Sequence, residues 1–171
     1  MRRRIAALVA SVLVAITAVP VAAAWQMRAL GSLSGEVRNE ANRVRAERGL
    51  APLRNSAALG RAAAQHVYEM AVLGYFGHGS PNHRSVGERL AQYYPPFRRA
   101  YWQVGEDLLW WAAPIRAKTV VELWLASAPH RRELLDSRFR EIGVSSLDVS
   151  AAGGIFGGRR VTLVAADFGV R

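Results

Sequence analysis

Hydrophobic residues in the first half of the chain recur every three or four positions, which is the spacing of one face of an α-helix. The first series predicts a helix from Ser32 to Leu50, with arginine and glutamate on its opposite side. The second predicts a helix from Ala57 to Leu73, which Asn55 or Ser56 caps and Gly74 ends. Both helices are therefore expected to lie on a core with one face in water.

The middle of the chain combines a short helix with an aromatic segment. Ser85 and Glu88 have the spacing of a capping box and open a predicted helix from Val86 to Tyr93, which two prolines end. Glu88 is therefore most simply a capping residue. Residues 101–104 (YWQV) are short and aromatic, so they form either a strand or a packed loop.

A third amphipathic pattern, VVELWLASAPHRR at residues 120–132, predicts a helix with two valines, a tryptophan and a leucine on its buried face. The helix begins either at a capping box that opens with Thr119 or one turn earlier, after Pro114. Pro129 cannot continue the helical hydrogen bonds, so His130 is expected just past the end of the helix. A histidine in that position is either a capping and packing residue or a functional one.

The last third of the chain has the composition of β-structure. Residues 142–150 and 161–170 are rich in β-branched and apolar side chains, and two glycine pairs separate them. This arrangement predicts a β-hairpin with a glycine-rich loop. Because no helix follows the glycines and no Lys-Ser or Lys-Thr pair occurs there, we exclude a phosphate-binding loop. Helices first and a hairpin last predict an α+β fold packed in layers.

Composition narrows the chemistry. At 171 residues and 51% hydrophobic content the chain is long enough and apolar enough for one domain with its own core. It has no cysteine, which excludes disulfides, a thiolate nucleophile and a cysteine zinc site. The net charge of +10 comes almost entirely from arginines that are spread along the chain, which favours a solvated surface over nucleic-acid binding. A basic exterior still favours anionic envelope polymers or lipid head groups as partners.

The N-terminus has the pattern of an export signal. Three arginines precede an apolar run, Pro20 breaks that run, and three alanines ending at Ala24 offer a cleavage site. We therefore predict a signal peptide at residues 1–24, a linker at 25–31 and the folded domain at 32–171. The alternative is an uncleaved anchor, since Ile5 to Trp25 is 21 residues and long enough to span a bilayer. Both interpretations place the domain outside the cytoplasm.

Two residues stand in settings typical of binding sites. His78 lies in YFGHGSP, where two aromatics can anchor the loop and two glycines permit close backbone approach. Glu106 lies between Gly105 and an acid followed by an apolar run, so its carboxylate is either buried and paired or exposed on a turn. His66 is interpreted as a packed core residue, and His83 as solvated.

Taken together, the segments resemble the CAP superfamily, the domain of cysteine-rich secretory proteins, antigen 5 and plant pathogenesis-related 1 proteins, and in particular its short bacterial secreted branch. The matching segments occur in family order from about residue 37 to residue 168: VRNEANRVRAERGLAPL, ALGRAAAQHVYEM, YFGH, ERL, GEDLL, VVELWLASAPHRRELL, FREIGV and VAADFG. The resemblance implies a three-layer αβα sandwich with the C-terminal hairpin in its central sheet. It also implies a surface cleft lined by two histidines and acidic residues.

The family's cleft residues can be placed on this sequence through its motifs. The two histidines match His78 and His130, and the acid of the family's Gly-Glu-Asn motif matches Glu106, although Asp107 stands here in place of Asn. The family's other cleft acid falls on Ser127. The chain therefore keeps three of the four implied cleft residues, with Ser127 expected to line the cleft in place of the acid.

Two classes of function follow from such a cleft. The first is an exported, non-catalytic domain that binds a lipid, an envelope component or a partner, which suits a chain without a nucleophile motif. The second is a metal-dependent hydrolase of envelope polymer or peptide, because His78 and His130 with Glu106 can hold zinc or another divalent ion that keeps a bound water. We favour the first. In the second, these three residues are the catalytic candidates.

Overall fold

The computed structural model describes residues 26–81, 84–97, 101–112 and 114–171. Residues 1–25, which hold the predicted signal segment, and the predicted solvated His83 lie outside the described residues. The elements in chain order are β1 (Met27–Ala29), α1 (Gly31–Ala46), β2 (Arg54–Asn55), α2 (Ala57–Leu73), α3 (Val86–Ala91), β3 (Gln103–Ala112), α4 (Ala117–Ala126), α5 (Ala128–Leu134), β4 (Glu141–Ala152), a 3₁₀ turn (Gly154–Phe156) and β5 (Arg159–Val170).

The sheet is built on the predicted C-terminal hairpin. Strands β4 and β5 pair antiparallel along their length, with β3 on the far side of β5 and β1 on the far side of β4. The glycine-rich connection reverses the chain through Gly157 and Gly158, whose φ angles of 63° and 73° favour glycine. Strand β3 includes Gln103 and Val104, so the strand alternative for residues 101–104 is confirmed from residue 103 onward. Strand β3 is an edge strand of the sheet, since no other strand among the described residues pairs with its outer side.

Helices cover both faces of this sheet, as the alternation of side chains along β5 requires. Val164, Ala166 and Phe168 pack in one core cluster with α1 and α4, whereas Leu163 and Ala165 pack in another with α2. The three-layer αβα sandwich is therefore confirmed: α1, α4 and α5 form one outer layer, and α2 and α3 form the other.

Several helix boundaries differ from the predictions. Helix α2 and its Ser56 cap agree with them, and so does the capping box of α3, but α3 stops at Ala91. Helix α1 ends at Ala46, four residues early, because the chain turns there and Arg45 points inward. The Arg45 guanidinium donates to the carbonyls of Ala51, Leu134 and Asp136 at 3.1, 2.9 and 3.0 Å, which ties the end of α1 to the end of α5.

The predicted linker at 25–31 is wrong for the residues that the structure describes. Met27–Ala29 pairs antiparallel with β4, with Met27 opposite Val149, and α1 begins at Gly31. The linker was predicted because three residues are too few to show a hydrophobic period. Within the described residues, no helix is both long and apolar enough to cross a membrane.

The segment around His130 forms two helices where one was predicted. Helix α4 starts at Ala117, one turn after Pro114, and no side chain caps it, so the Thr119 alternative is wrong. The chain breaks at Ser127 and α5 begins at once, with Pro129 in its first turn. Proline is tolerated there because the first turn of a helix has no use for its missing N–H. His130 therefore lies in the first turn of a new helix.

Candidate functional site

His78 reaches the site from the loop that follows α2. Gly74 ends α2 with a φ of 66°, and Tyr75 and Phe76 then pack against the core cluster on the α2 face. This anchoring places the half-exposed His78 side chain over β3, with its Nδ1 3.0 Å from Glu106 Oε1. The partly buried aromatic residues of the loop thus hold the imidazole in place, as the sequence predicted.

Glu106 lies on β3 with its side chain on the α2 and α3 face of the sheet, and only 5% of the residue is exposed. The buried guanidinium of Arg89 on α3 donates to Glu106 Oε2, and His66 Nε2 lies 3.8 Å from the same oxygen. Of the two alternatives left open for this carboxylate, the buried and paired one is therefore correct. Both of its oxygens are engaged, one by His78 and one by Arg89.

His130 approaches from the opposite layer, on α5. Its ring centroid lies 6.2 Å from that of His78, and both rings line one cleft of about 290 Å³ together with Glu106. The residues lining the cleft are His78, Val86, Val104, Gly105, Glu106, Pro129, His130, Arg132 and Glu133. The structure thus brings His78, Glu106 and His130 together across the outer strand β3, although 52 positions of sequence separate the two histidines.

Ser127, the fourth predicted cleft residue, is not among the described residues that line this cleft. It lies at the break between α4 and α5, where its carbonyl accepts the N–H of Arg131 at 2.8 Å. An acid reaches the cleft from a different position, Glu133, one helical turn after His130. A Cβ at Gly105 would lie 2.0 Å from Glu133 Oε2, so the glycine is what lets this carboxylate pack over β3.

The electrostatics of the cleft favour an ionised Glu106 and a neutral His130. Burial alone would raise the pKa of Glu106, but the hydrogen bond from His78 and the positive charge of Arg89 outweigh it and hold that pKa below its usual value. Burial, and to a lesser extent the neighbouring His78, lower the pKa of His130. Burial also lowers the pKa of His66, and the negative charge of Glu106 partly offsets that lowering.

Two further buried carboxyls, those of Asp107 and Asp167, lie close to Glu106. Asp107 and Asp167 are fully buried, and none of their side-chain oxygens has a hydrogen-bond partner in the described structure. Burial, with contributions from Glu133 and Glu106, raises the pKa of Asp107 to about 9. Burial and the Glu106 charge likewise raise the pKa of Asp167, against a smaller opposing effect of Arg89, whose Nη1 lies 3.9 Å from it. In both acids, burial therefore favours the neutral, protonated form over the carboxylate.

Sequence reasoning missed Arg89 and Glu133, and it placed His66 in the core without its tie to the site. As predicted, His66 is buried and its Nε2 lies 2.9 Å from the Gly77 carbonyl. Glu133 could have been found from its spacing, since three residues separate it from His130 and helical neighbours share a face. Arg89 had a weaker signal: a buried Glu106 demands a cationic partner, but nothing in the spacing selects which of many arginines.

The cleft residues do not form a ready divalent-metal site. No group of three or more His, Asp and Glu side chains in the described ranges is arranged to hold a metal ion. Glu106 could serve as a ligand only by giving up His78 or Arg89. The Nδ1–H bond from His78 to Glu106 does leave its Nε2 free, which is how metal-binding histidines are commonly oriented. A catalytic zinc site takes three protein ligands, so the two imidazoles would need a carboxylate from Glu106 or Glu133 as the third.

Comparison with known proteins identifies the family and the fold. The family model described as the cysteine-rich secretory protein family, CAP, matches residues 38–158. The chain belongs to this family. A curated CAP relative is the "Uncharacterized membrane protein YlbC" of Bacillus subtilis (strain 168), 31% identical over 103 residues. That match covers 60% of this chain and 28% of the relative, so the chain spans only part of the relative's length.

Solved structures show the same CAP fold. An outer surface protein of Borrelia burgdorferi superposes with a TM-score of 0.70 at 18% identity, over 85% of this chain and 99% of that one. An extracellular protein containing an SCP domain from Bacillus anthracis gives 0.59 at 22% identity, over 80% and 40%. A cysteine-rich secretory protein of Staphylococcus aureus gives 0.57 at 18% identity, over 82% and 39%. At these identities the likeness concerns the fold.

Proposed function

We propose that this CAP domain works outside the cytoplasm and binds a hydroxyl- or amide-bearing group of a cell-envelope component in the cleft, without catalysing a reaction on it. The observation that carries the proposal is the meeting of His78, Glu106, His130 and Glu133 at one cleft. A location outside the cytoplasm is supported by the apolar N-terminal run and by neighbours named as extracellular or outer surface proteins.

The geometry supports a particular kind of ligand. Since Glu106 is ionised and its oxygen is only an acceptor, His78 Nδ1 must carry the hydrogen of their bond. In the neutral ring, His78 Nε2 is then an acceptor, which suits a ligand hydroxyl or amide N–H. The neutral His130 can donate or accept beside it. A cleft of about 290 Å³ fits one sugar or amino-acid unit and is too small for a whole lipid.

The same geometry supports binding over catalysis. The described residues that line the cleft include no serine, threonine, cysteine or lysine, so they offer no hydroxyl, thiol or amine nucleophile. Glu106 is committed to His78 and Arg89, which makes it a residue that positions His78. The polymers of a bacterial envelope are rich in hydroxyls and amides, and a basic surface would bring anionic ones close.

Calorimetric titration with soluble glycan and peptide fragments of cell wall tests this proposal, with short-chain lipids as a comparison. We expect the His78→Ala, His130→Ala double variant to weaken binding at least about tenfold, the loss expected for two hydrogen bonds. Lys118→Ala, on the exposed side of α4, is the matched control and should bind as the wild type does. Equal binding by the double variant and the wild type would rule the cleft out.

The competing function is a metal-dependent hydrolase that uses the same cleft. The free Nε2 of His78 and the nearby His130 are the features that favour it. Metal analysis of the purified protein, with hydrolysis of envelope polymer measured before and after chelation, separates the two functions. Bound zinc together with chelator-sensitive turnover would replace the binding proposal, whereas metal without turnover would not.

A further inference from the structure

One end of the sheet gathers the start of β1 and the turn between β4 and β5. Gln26 is bonded to Ser150 in both directions, since the Ser150 N–H donates to the Gln26 carbonyl at 2.9 Å and the Gln26 N–H donates to Ser150 Oγ at 2.8 Å. The end of α2 joins them, because the Gly74 carbonyl accepts the N–H of Ile155 at 3.0 Å. We call this region the hairpin end: residues 26–28, 72–74, 110–112 and 150–160.

The hairpin end is unusually apolar for an exposed surface. Seven large hydrophobic side chains are exposed in the described part of the chain, and four of them lie here. Val72, Leu73 and Ile155 are 42%, 58% and 54% exposed, and Trp111 is 43% exposed at the end of β3. Leu73 and Ile155 are the sequence neighbours of Gly74 and Gly154, whose backbones are in contact, so both exposed side chains belong to the same end of the molecule. Several large exposed hydrophobic side chains gathered at one end of a domain are typical of a surface that contacts something else.

Three exposed arginines lie at the same end of the sheet, and two of them, Arg28 and Arg160, are on the α1 side. Arg28 and Arg160 have 68% and 59% of their side chains exposed, and Arg159 is also exposed beside them. The acids that share this region are Asp148, which pairs with both Arg28 and Arg160, and Glu36, which lines a neighbouring hollow with them. The balance is one positive charge. The guanidinium groups of Arg28 and Arg160 pair with Asp148, and that of Arg159 donates to the Phe156 carbonyl at 3.2 Å, so all three are held at this end of the sheet. Exposed arginines at the same end as exposed aliphatic side chains are the composition of a membrane-surface contact.

In the uncleaved-anchor alternative for the N-terminus, the sequence before Gln26 indicates what the partner is. Residues 5–25 are 21 uncharged, mainly apolar residues, enough to cross a bilayer, and they end one residue before the hairpin end begins. We propose that the hairpin end of the domain rests on the surface of a lipid bilayer that carries anionic head groups. Leu73 and Ile155 enter the interfacial layer, Trp111 lies at its edge, and Arg28 and Arg159 contact lipid phosphates.

This orientation fixes where the cleft stands. Glu106 is opposite Asp167 on β5, and Asp167 is seven residues along the strand from Arg160 at the hairpin end. At about 3.4 Å per residue, the cleft is roughly 24 Å from the membrane surface. It therefore clears the lipid head groups and opens toward the polymers outside the membrane. The docking surface and the cleft share no residue, so either proposal can fail without the other.

The cysteine-free sequence allows a direct test with single labels. Ile155→Cys places an environment-sensitive fluorophore at the hairpin end, and Ser137→Cys places it at the opposite end, before β4. The full chain is reconstituted into vesicles of phosphatidylcholine, with or without phosphatidylglycerol. We expect the label at 155 to shift to the blue and to be quenched by lipid-borne quenchers when phosphatidylglycerol is present. The label at 137 should keep its aqueous emission in both.

Variants separate docking from simple tethering. Leu73→Gln, Arg28→Gln and Arg159→Gln together should weaken the docking equilibrium at least about tenfold, because each arginine near an anionic surface contributes to it. Arg160 is kept because it donates two hydrogen bonds to Asp148, at 3.0 and 2.7 Å, whereas Arg28 makes one longer contact of 3.3 Å with it. The matched control is Arg48→Gln with Arg54→Gln, two exposed arginines near the opposite end, which should change nothing. Equal responses at 155 and 137, or an unchanged response in the triple variant, would overturn the proposal.

Discussion

Glu106 and Asp107 are neighbours in sequence and both are buried, yet they differ in charge. Because side chains alternate along β3, Glu106 points to the α2 and α3 layer and meets Arg89 and His78. Asp107 points to the other layer, where it finds no hydrogen-bond partner in the described structure. The pKa of Glu106 is therefore lowered, and that of Asp107 is raised to about 9, mainly by burial.

The difference shows that partners, more than burial, decide the charge of a buried acid here. On the Glu106 side, a carboxylate and a guanidinium hold an imidazole in place at the cleft. On the Asp107 side, a neutral carboxyl packs near Glu133, whose own pKa is raised by burial and by Asp136. Strand β3 thus carries the ionised Glu106 carboxylate on one face and the neutral Asp107 carboxyl on the other.

The substitution expected to have the largest effect on the difference between Glu106 and Asp107 is Arg89→Met. It leaves Glu106 buried without its cation, and breaking a buried ion pair from one side costs about 3–5 kcal/mol of stability. Urea unfolding at pH 7 measures the loss, and NMR titration should show the pKa of Glu106 rising.

The control for Arg89→Met is the double variant Arg89→Met, Glu106→Gln, which removes both charges. It should recover a large part of the lost stability, because the residues are in contact and their effects are not additive. A loss under about 1 kcal/mol in the single variant would show that Arg89 does not hold Glu106.

Asp107→Asn tests whether Asp107 is neutral in the folded protein, and it introduces the asparagine of the family's Gly-Glu-Asn motif. The folded-state pKa of Asp107, about 9, lies above its unfolded value near 3.8, so the stability that its protonation supports is complete below about pH 4 and is lost as pH rises to about 9. The asparagine does not titrate. We therefore expect the variant to gain on the wild type by up to about 1.4 kcal/mol per pH unit between those values.

Unfolding curves at pH 4, 5.5 and 7 measure that gain, which should be near zero at the lowest pH and about 2–4 kcal/mol at pH 7. A pH-independent difference would mean that Asp107 is ionised in the native protein. Asp136→Asn is a suitable contrast, since Arg138 lowers the pKa of this acid to about 2 and its variant should lose stability at pH 7.

Gly105→Ala tests whether the site needs Glu133 of α5 to pack closely against β3. The new Cβ would lie 2.0 Å from Glu133 Oε2 and 2.9 Å from Phe139 Cζ, so Glu133 must leave or α5 must shift. We expect a loss of about 1–3 kcal/mol and weaker ligand binding. Gly87→Ala, in α3, is the matched control: its Cβ would approach nothing closer than Trp102 at 3.9 Å, so it should be neutral or slightly stabilising.

The smallest expected effect is that of Ser85→Ala, which removes the cap of the helix that carries Arg89. Both halves of the capping box are formed with Glu88, and their loss costs about 1 kcal/mol. Thermal unfolding measures it. Binding at saturating ligand should not change, since the core residues around α3 are intact; a loss of binding would show that α3 positions Arg89 only when it is capped.

Local patterns predicted most of the elements but not where they break. The α2 helix, the α3 capping box and the β4–β5 hairpin follow from spacing and turn residues, which act over a few positions. The break at Ser127 does not, because Pro129 serves equally well at the end of one helix or the start of the next. That choice moved His130 into α5 and hid Glu133, while Ser127 went to the break between helices.

The sequence alone determined the layered α+β order and the family resemblance, and it selected His78, Glu106 and His130 as candidate cleft residues. It could do so because periodicity is local and the family motifs occur in a fixed order along the chain. Only the tertiary structure decided which arginine pairs with Glu106, that Glu133 joins the cleft, and that Asp107 is neutral. Those outcomes depend on which side chains from distant segments share a buried volume, where a charge is stable only beside its partner.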